Sequence, residues 1–326
     1  MKYLIIAILF IGIVLVLVPN ILFVALRIIS TIFRYRIPYR PFGIVAAGLF
    51  LASALTLAYG YSIGRFRYEV RSWEFADASV PEAFNGYRIV HISDIHSGGW
   101  IGHERRLQRI IDEISEIGPD LICFTGDLVD ISPDEALKLA PVLKTLNAPD
   151  GVISVLGNHD YIPYNRSISE GERSKLIEKL TFIERDTLGW ILLMNQNAII
   201  RKGNDSIAII GTENQSMGIH NVVQRGDLPK AMEGTDGMMR ILLTHDPTHW
   251  HGQVTGKTDI PLTLSGHTHA MQFRIAGFTP SRWLFPEYAG LYTDGARQLY
   301  VNIGLGGSMP VRIGATPEIT VLTLKR

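Results

Sequence analysis

Two long uncharged apolar segments near the start of this 326-residue chain restrict its possible folds more than any other feature. Residues 4–26 carry no charge and are interrupted only by Pro19 and Asn20, and residues 42–61 form the second segment. At about 1.5 Å per helical residue, each segment can cross a hydrocarbon layer of about 30 Å. A signal peptide has a single, shorter apolar core, and a buried helical hairpin of a soluble core is the other alternative. We therefore expect two transmembrane helices and contact with a membrane bilayer.

The basic residues that flank the two segments leave their orientation in the membrane open. Four arginines lie between the segments and four basic residues lie on the other side: Arg27, Arg34, Arg36 and Arg40 against Lys2, Arg65, Arg67 and Arg71. The positive-inside rule places the more basic side in the cytoplasm, and here the two counts are equal. If the first helix dominates, the loop between the segments is cytoplasmic and the domain after Tyr61 lies outside.

The overall composition excludes several classes of protein. The 31 Lys and Arg residues balance the 31 Asp and Glu residues, so there is no basic surplus for binding a nucleic-acid polymer. Hydrophobic residues make up 47% of the chain, which excludes intrinsic disorder. Cys123 is the single cysteine, so an internal disulfide and a thiolate zinc cluster are excluded as well. Any metal ion must therefore be bound by oxygen and imidazole ligands.

After about residue 71 the pattern changes to short apolar runs that alternate with amphipathic segments. We therefore expect a membrane anchor over residues 1–71 and a second domain over residues 72–326. Helical periodicity predicts helices over residues 103–117, 132–146 and 173–184. Continuous apolar runs predict buried strands over residues 88–93, 121–125, 152–156, 207–210, 240–244 and 261–265. Buried strands separated by helices indicate an α/β fold whose sheet is covered on both faces.

A short polar motif follows five of these six strands. The motifs are Asp94-Ile95-His96, Gly126-Asp127, Gly157-Asn158-His159-Asp160, His245-Asp246 and Gly266-His267-Thr268-His269. Each motif alone is common in turns, but in sheets of this class ligands bind outside the carboxyl ends of the strands. The glycines allow sharp turns that let a short side chain point at an ion. We expect the polar side chains of all five motifs to meet at one rim.

Seven side chains in these motifs are of types that bind metal ions: Asp94, His96, Asp127, Asn158, His245, His267 and His269. Seven ligands are too many for one ion and suit two divalent ions that share a carboxylate. Oxygen and imidazole ligands without thiolate favour Mn²⁺, Fe or Zn²⁺ over Ca²⁺ and Mg²⁺. Two such ions stabilise the attacking and leaving oxygens of an in-line displacement and lower the pKa of a bound water. The predicted chemistry is hydrolysis of a phosphate ester.

From Arg88 to the carboxyl end, this set of motifs resembles the calcineurin-like metallophosphoesterase family. The segments 302–306, 310–312 and 317–319 resemble its bacterial membrane-associated branch, which is related to UDP-2,3-diacylglucosamine pyrophosphatase. The resemblance implies a two-sheet αββα sandwich and a protein of the bacterial inner membrane. One departure is Ala270-Met271-Gln272, where related bacterial proteins usually have Gly-Gly-Gln. This departure affects the expected substrate preference rather than metal binding.

The resemblance also implies a role for each motif residue. The ligands divide into two sets that share Asp127: Asp94, His96, Asp127 and His269 for one ion, and Asp127, Asn158, His245 and His267 for the other. His159 would face the phosphate and stabilise the transition state or protonate the leaving oxygen. Asp160 would hold the ring of His159 and favour its protonated form.

The predicted function is hydrolysis of a phosphodiester or pyrophosphate bond by metal-activated water. By resemblance, the leading substrate is lipid-linked, namely UDP-2,3-diacylglucosamine in lipid A biosynthesis. An outward-facing phosphodiesterase or phosphatase of broad range, acting in the cell envelope, is the alternative. A non-catalytic membrane scaffold is a third hypothesis, but a degenerate member of the family would have lost ligands, and all seven are present.

Several other residues are open to two interpretations. The aromatic segment 279–292 predicts either a lip that contacts acyl chains or the bilayer surface, or a loop packed on the domain. We expect His91 in the core or behind a ligand, and His249 and His251 in solvent. Asp130 is a candidate hydrogen-bond partner for a metal-bound histidine.

Overall fold

The computed structural model describes residues 2–165, 167–217 and 223–326. It forms two compact units, of which the first contains the chain up to Arg65 together with Met309–Ile313. The second unit contains Phe66–Ser308 and Gly314–Arg326. The boundary predicted at residue 71 falls inside the second unit, because the residues from Glu69 onward form a strand of one of its sheets.

The first unit is dominated by two long helices, α1 (Lys2–Ile32) and α2 (Arg40–Ser62). The segments Gly12–Ile32 and Arg40–Phe66 are long and apolar enough to cross a membrane, and their described side chains are almost all unburied. Asn20, the polar residue of the apolar segment 4–26, has hydrogen-bond partners: its side chain donates to the carbonyl oxygen of Val16 at 2.8 Å and accepts from the Tyr39 hydroxyl at 2.7 Å. The structure thus contains both helices that the apolar segments predict.

The second unit contains two six-stranded mixed sheets. Its strands are β1 (Glu69–Ala76), β2 (Arg88–Ile92), β3 (Leu121–Phe124), β4 (Val152–Ser154), β5 (Ile191–Leu192), β6 (Gln196–Lys202), β7 (Asp205–Gly211), β8 (Met239–Leu243), β9 (Leu262–Ser265), β10 (Gly290–Asp294), β11 (Arg297–Val301) and β12 (Glu318–Lys325). Its helices are α3 (Glu104–Ile117), α4 (Pro133–Leu143), α5 (Glu170–Phe182) and α6 (Leu228–Ala231). The sheet orders are β1-β12-β2-β3-β4-β5 and β10-β11-β9-β8-β7-β6. Strands β2 to β5 are parallel neighbours, as are β7, β8, β9 and β11.

Apolar side chains fill three layers around these sheets. The central layer joins the facing sides of the two sheets, for example Ile89 of the first and Ile209 of the second. Helices α3, α4 and α5 cover the outer face of the first sheet, and α6 with the turn Trp250–Val254 covers that of the second. The apolar stripe of α3 shows the sequence origin of this packing, since it recurs at helical spacing and is buried throughout: Leu107, Ile110, Ile111 and Ile114. The predicted αββα sandwich is confirmed.

The predicted elements are present, with strand ends within two residues and helix ends within three. The apolar pattern does not predict the six remaining strands, β1, β5, β6, β10, β11 and β12. Strands β1, β5, β6 and β10 lie at or next to a sheet edge, and most of their side chains are exposed or only half-buried. Such strands lack the continuous apolar runs on which the prediction rests.

Candidate metal centre

Five loops, each following the carboxyl end of a parallel strand, meet at one rim of the second unit. The loops after β2, β3 and β4 belong to the first sheet, and those after β8 and β9 belong to the second. They bring together all seven predicted ligands: Asp94, His96, Asp127, Asn158, His245, His267 and His269. Six of the seven are buried, and His267 is half-buried. The rim is therefore a polar cluster that both sheets build.

One cluster of ligand atoms comprises Asp94, His96, Asp127 and His269, all within 4.8 Å of one another. The Nε2 atoms of His96 and His269 face each other at 3.2 Å. Oδ1 of Asp94 lies 3.4 Å from Nε2 of His269, and Oδ2 of Asp127 lies 3.6 Å from Nε2 of His96. Two carboxylates and two imidazoles therefore converge on one point.

A second cluster comprises Asp127, His245 and His267, with ligand atoms again within 4.8 Å of one another. Oδ2 of Asp127 lies 3.3 Å from Nε2 of His245, and Nδ1 of His267 lies 3.2 Å from the same nitrogen. Oδ1 of Asn158 also lies 3.1 Å from it. Asp127 thus belongs to both clusters, as the division of ligands in the sequence analysis requires.

The other ring nitrogens of two histidines fix which nitrogen can bind an ion. Nδ1 of His96 donates to Oδ1 of Asp130 at 2.9 Å, and Nδ1 of His245 donates to the carbonyl oxygen of Thr125 at 2.7 Å. In the neutral ring this leaves the lone pair on Nε2, which faces the cluster. The prediction that Asp130 supports a histidine of the site is confirmed as a contact.

The charges at the rim also suit cations. Burial acts to lower the pKa of His96 and His245, but nearby carboxylates outweigh it and raise these pKa values to about 9 and about 10. Conversely, the histidines hold the pKa of Asp127 well below its usual range although burial opposes them. Oδ1 of Asp94 is buried and accepts no hydrogen bond from the part of the chain that the structure describes. These observations fit a pair of divalent cations in place of protons.

Backbone strain is concentrated at the same residues. Five of the seven predicted ligands have left-handed φ angles between 48° and 77°: Asp94, His96, Asp127, His267 and His269. Non-glycine residues rarely adopt this conformation, and it persists where the surrounding structure fixes it at a functional site. Ala270, Met271 and Gln272 continue the run with φ angles of 46°, 52° and 54°. Glycine, which the family resemblance leads us to expect at Ala270 and Met271, adopts this conformation without a Cβ clash.

His159 lies beside the first cluster, with its ring centroid 4.8 Å from that of His96. Its backbone N–H donates to Oδ1 of Asp127 at 2.8 Å, and its Nδ1 donates to the carbonyl oxygen of Asp130 at 2.9 Å. The ring is therefore held by a carbonyl group. Nε2 is the nitrogen at which His159 can exchange a proton.

The prediction that Asp160 holds the ring of His159 is wrong. The carboxylate of Asp160 instead accepts three backbone N–H groups: from Asp127 at 2.8 Å, from Val129 at 3.1 Å and from Gly157 at 2.9 Å. Asp160 lies in the short helical turn His159–Tyr161, and its carboxylate faces the loops after β3 and β4. Asp160 therefore fixes the backbone that carries Asp127. The pKa of His159 is lowered rather than raised, because burial, together with the charge of His96, outweighs the opposing effect of Asp127 and Asp130.

Two residues of the site carry no signal, or only a weak one, in the sequence. Tyr164 accepts a hydrogen bond from Nδ2 of Asn158 at 3.1 Å, and its ring centroid is 4.5 Å from that of His159. An isolated tyrosine in a loop gives no hint of this position. Asp246 lies 3.7 Å from Nε2 of His267, and its place directly after His245 was the available signal.

The three other histidines considered in the sequence analysis differ in burial. His91 is fully buried, with Nε2 2.9 Å from Oγ1 of Thr125, so its expected place in the core is confirmed. His251 is exposed as expected and pairs with Glu287 at 2.6 Å. The prediction of exposure is wrong for His249. Its side chain is fully buried, and its Nδ1 forms a hydrogen bond of 2.9 Å with Oγ1 of Thr244.

Comparison with known proteins agrees with this geometry. A model of the calcineurin-like phosphoesterase family matches residues 87–271. The chain is 33% identical to the uncharacterized metallophosphoesterase YkuE of Bacillus subtilis, over 87% of this chain and 94% of that protein. It is 31% identical to a transmembrane protein with metallophosphoesterase domain of Danio rerio, over 86% of this chain and 64% of that protein.

A further relative is UDP-2,3-diacylglucosamine pyrophosphatase LpxG of Chlamydia trachomatis, which is 27% identical over 75% of this chain and 86% of that protein. The family match covers the loops after β2, β3, β4, β8 and β9, which carry all the predicted ligands. The resemblance inferred from the motifs, and with it a metal-dependent phosphoesterase, is confirmed. The chain belongs to the calcineurin-like phosphoesterase family.

Proposed function

We propose that this protein is a membrane-anchored phosphoesterase that uses two divalent cations to hydrolyse a phosphodiester or pyrophosphate bond. The observation that carries this proposal is the pair of ligand clusters that share Asp127. A single cation would leave the ligand atoms of one cluster without a cation to bind: the imidazoles of His245 and His267, or the imidazoles of the first cluster together with the buried Asp94 carboxylate.

Each cation would be held by ligands from both sheets. Asp94, His96, Asp127 and His269 would hold one, and Asp127, Asn158, His245 and His267 the other. When bound, two such cations neutralise charge on the phosphoryl oxygens and lower the pKa of water. The residue types favour Mn²⁺, with Fe or Zn²⁺ as alternatives.

His159 supplies the proton for the leaving oxygen in this proposal. Its Nδ1–H stays on the carbonyl oxygen of Asp130, so the transferred proton is carried at Nε2. Burial lowers the pKa of His159, which makes the protonated ring a stronger acid. The carboxylate of Asp160 holds the backbone N–H groups of Asp127 and Gly157 and so joins the two loops that carry them.

The proposed substrate is amphiphilic. Two helices long and apolar enough to cross a membrane would keep the enzyme beside lipid-linked phosphoesters. One relative is named as a pyrophosphatase of UDP-2,3-diacylglucosamine, and we propose this class of substrate first. It requires a cytoplasmic active site, since the nucleotide sugar is cytoplasmic.

Hydrolysis by the purified full chain tests the catalytic proposal. We expect Mn²⁺-dependent hydrolysis of bis(p-nitrophenyl) phosphate, and a loss of roughly 10³-fold in Asp127→Asn, because several kcal/mol of charge stabilisation is removed. Asp186→Asn, which neutralises an exposed carboxylate, is the matched control and should retain the wild-type rate. Equal rates for Asp127→Asn and the wild type would refute the catalytic assignment.

Reporter fusions after Arg71 test the substrate proposal. A cytoplasmic reporter, together with cleavage of UDP-2,3-diacylglucosamine, would support it. A reporter on the outer side would eliminate the nucleotide-lipid substrate and favour a broad-range phosphodiesterase of the cell envelope.

A further inference from the structure

In the second unit, one stretch of ten residues, 275–284, exposes four large apolar side chains. We call Ile275, Phe278, Trp283 and Leu284 the apolar lip. They are between 39% (Phe278) and 72% (Trp283) exposed. In the described part of this unit, no stretch of ten residues that lies wholly outside 275–284 exposes more than two large apolar side chains. This concentration needs an explanation, whereas single exposed apolar residues do not.

The backbone around these side chains has a defined, hydrogen-bonded conformation. Ile275 and Phe278 pair through two backbone hydrogen bonds of 3.0 and 2.9 Å across the tight turn formed by Ala276 and Gly277. The turn holds φ angles of 48° and 82° at its two central residues. The rings of Phe278 and Trp283 meet edge to face at 5.3 Å. The lip is therefore an ordered projection and not a collapsed loop.

The lip is tied to the loop that carries His267 and His269. Oγ1 of Thr279 donates to the carbonyl oxygen of Ala270 at 2.6 Å, and Oγ1 of Thr268 donates to that of Tyr288 at 2.6 Å. The buried ring of Phe285, which directly follows the lip, lies 5.3 Å from the ring of His267. Whatever the lip contacts is thereby held next to the metal centre.

The charges around the lip identify the class of partner. The fourteen residues 273–286 contain two arginines, Arg274 and Arg282, and no acidic residue. Arg282 is exposed and directly precedes Trp283. An indole beside cationic side chains is typical of segments that lie at the headgroup level of a bilayer, where anionic lipids attract the arginines.

We propose that the apolar lip inserts into the boundary between headgroups and acyl chains of a phospholipid bilayer and holds the metal centre at the membrane surface. The inference rests on the proposed membrane-anchored function. A pocket for one acyl chain would be concave and would bury its lining. The lip instead exposes its four side chains on the turn 275–278 and on and next to the short 3-10 helix Pro280–Trp283. Such an exposed apolar surface suits insertion into a bilayer rather than binding of a single chain.

Fluorescence of Trp283 tests this proposal, since the chain has five tryptophans and none lies in α1 or α2. Trp100, Trp190 and Trp250 are buried and Trp73 is half-buried, so Trp283 is the exposed one. The full chain is reconstituted in vesicles of phosphatidylcholine and phosphatidylglycerol, with or without bromine near the glycerol end of the acyl chains. We expect bromine to quench the wild type, and Trp283→Phe to lose most of the quenchable emission.

A matched pair of variants separates insertion from general proximity. Leu284→Glu places a carboxylate in the lip, whereas Leu137→Glu does so on α4 at nearly the same exposure, 43% against 44%. We expect Leu284→Glu to reduce quenching of Trp283 and shift its emission to the red, and Leu137→Glu to match the wild type. Equal quenching in the wild type and Trp283→Phe, or no quenching in either, would overturn the proposal.

The quenching does not depend on catalysis, so the two proposals can fail separately. Quenching of Trp283 in a protein that hydrolyses no phosphoester would support insertion of the lip and refute the proposed function. An active, Mn²⁺-dependent enzyme without quenching would support the proposed function and refute insertion of the lip.

Discussion

Residues 267–272 and 275–284 lie almost next to each other in the chain, yet one forms part of the metal centre and the other forms the apolar lip. The first segment is mostly buried and places five of its six residues in left-handed backbone conformations. The second exposes its large side chains and has left-handed conformations only at its turn, Ala276 and Gly277. Strain of about 1–3 kcal/mol per residue is therefore kept mainly where ligand atoms must converge.

Hydrogen bonds show how the metal-centre segment keeps this strained conformation. The backbone N–H of His267 donates to Oδ2 of Asp94 at 3.0 Å, and that of Met271 donates to the carbonyl oxygen of Thr268 at 2.8 Å. In the lip, the two left-handed residues lie between Ile275 and Phe278, whose backbones are joined by two hydrogen bonds. We infer that the fold fixes the geometry at the metal centre. The four exposed side chains of the lip can be replaced without removing the contacts that join this segment to the ligand loop, because those contacts are made by Thr279 and Phe285.

The largest effect is expected on the metal-centre side of this comparison. His159→Gln removes the proposed proton donor but none of the proposed ligands, so we expect a rate loss of roughly 10²–10⁴-fold with metal content retained. Hydrolysis rates and metal analysis of the same preparation measure both quantities. Loss of bound metal in this variant would mean that His159 is a ligand and that the assigned role is wrong.

A smaller effect is expected one step behind the ligands. Asp130→Asn weakens the acceptor for Nδ1 of His96 while preserving its shape, and we expect metal affinity to fall by roughly 10–100-fold. Competition with a chelator measures this affinity. Asp112→Asn, an exposed carboxylate on α3, is the control. Unchanged affinity in Asp130→Asn would show that the hydrogen bond does not tune the metal centre.

The smallest effect is expected in the lip. Ala276 is exposed and has a φ angle of 48°, so Ala276→Gly removes a steric cost and should raise the free energy of unfolding by about 0.5–1 kcal/mol. Ala276→Val should lower it, since a β-branched residue fits this conformation poorly. Thermal unfolding in detergent measures both variants. A lower midpoint for Ala276→Gly would show that the turn is not strained.

The sequence predicts the fold best where strands are buried on both faces. The predicted strands 121–125 and 240–244 contain the continuous apolar runs 121–124 and 241–243, and they are found as β3 and β8 almost residue for residue. β1 was open to misassignment because it alternates exposed and half-buried residues, so the predicted domain boundary at residue 71 falls inside it. Exposure at a sheet edge depends on tertiary pairing, which the local pattern does not encode.

The site shows a similar division. Residue types at strand ends were sufficient to predict which seven side chains meet, because parallel strands deliver their following loops to one edge. The direction of the Asp160 carboxylate depended on three backbone N–H groups from other loops, so its spacing from His159 was misleading. Tyr164 reaches Asn158 through a loop conformation that has no linear signature.

The central claim is that two cations share Asp127, and electron paramagnetic resonance of the Mn²⁺-loaded full chain tests it most directly. We predict that titration ends at two Mn²⁺ per chain and that the spectrum is that of an exchange-coupled pair. We also expect Asp127→Asn to lose the coupling. A wild-type spectrum of isolated Mn²⁺ ions, or saturation at one ion per chain, would contradict the account.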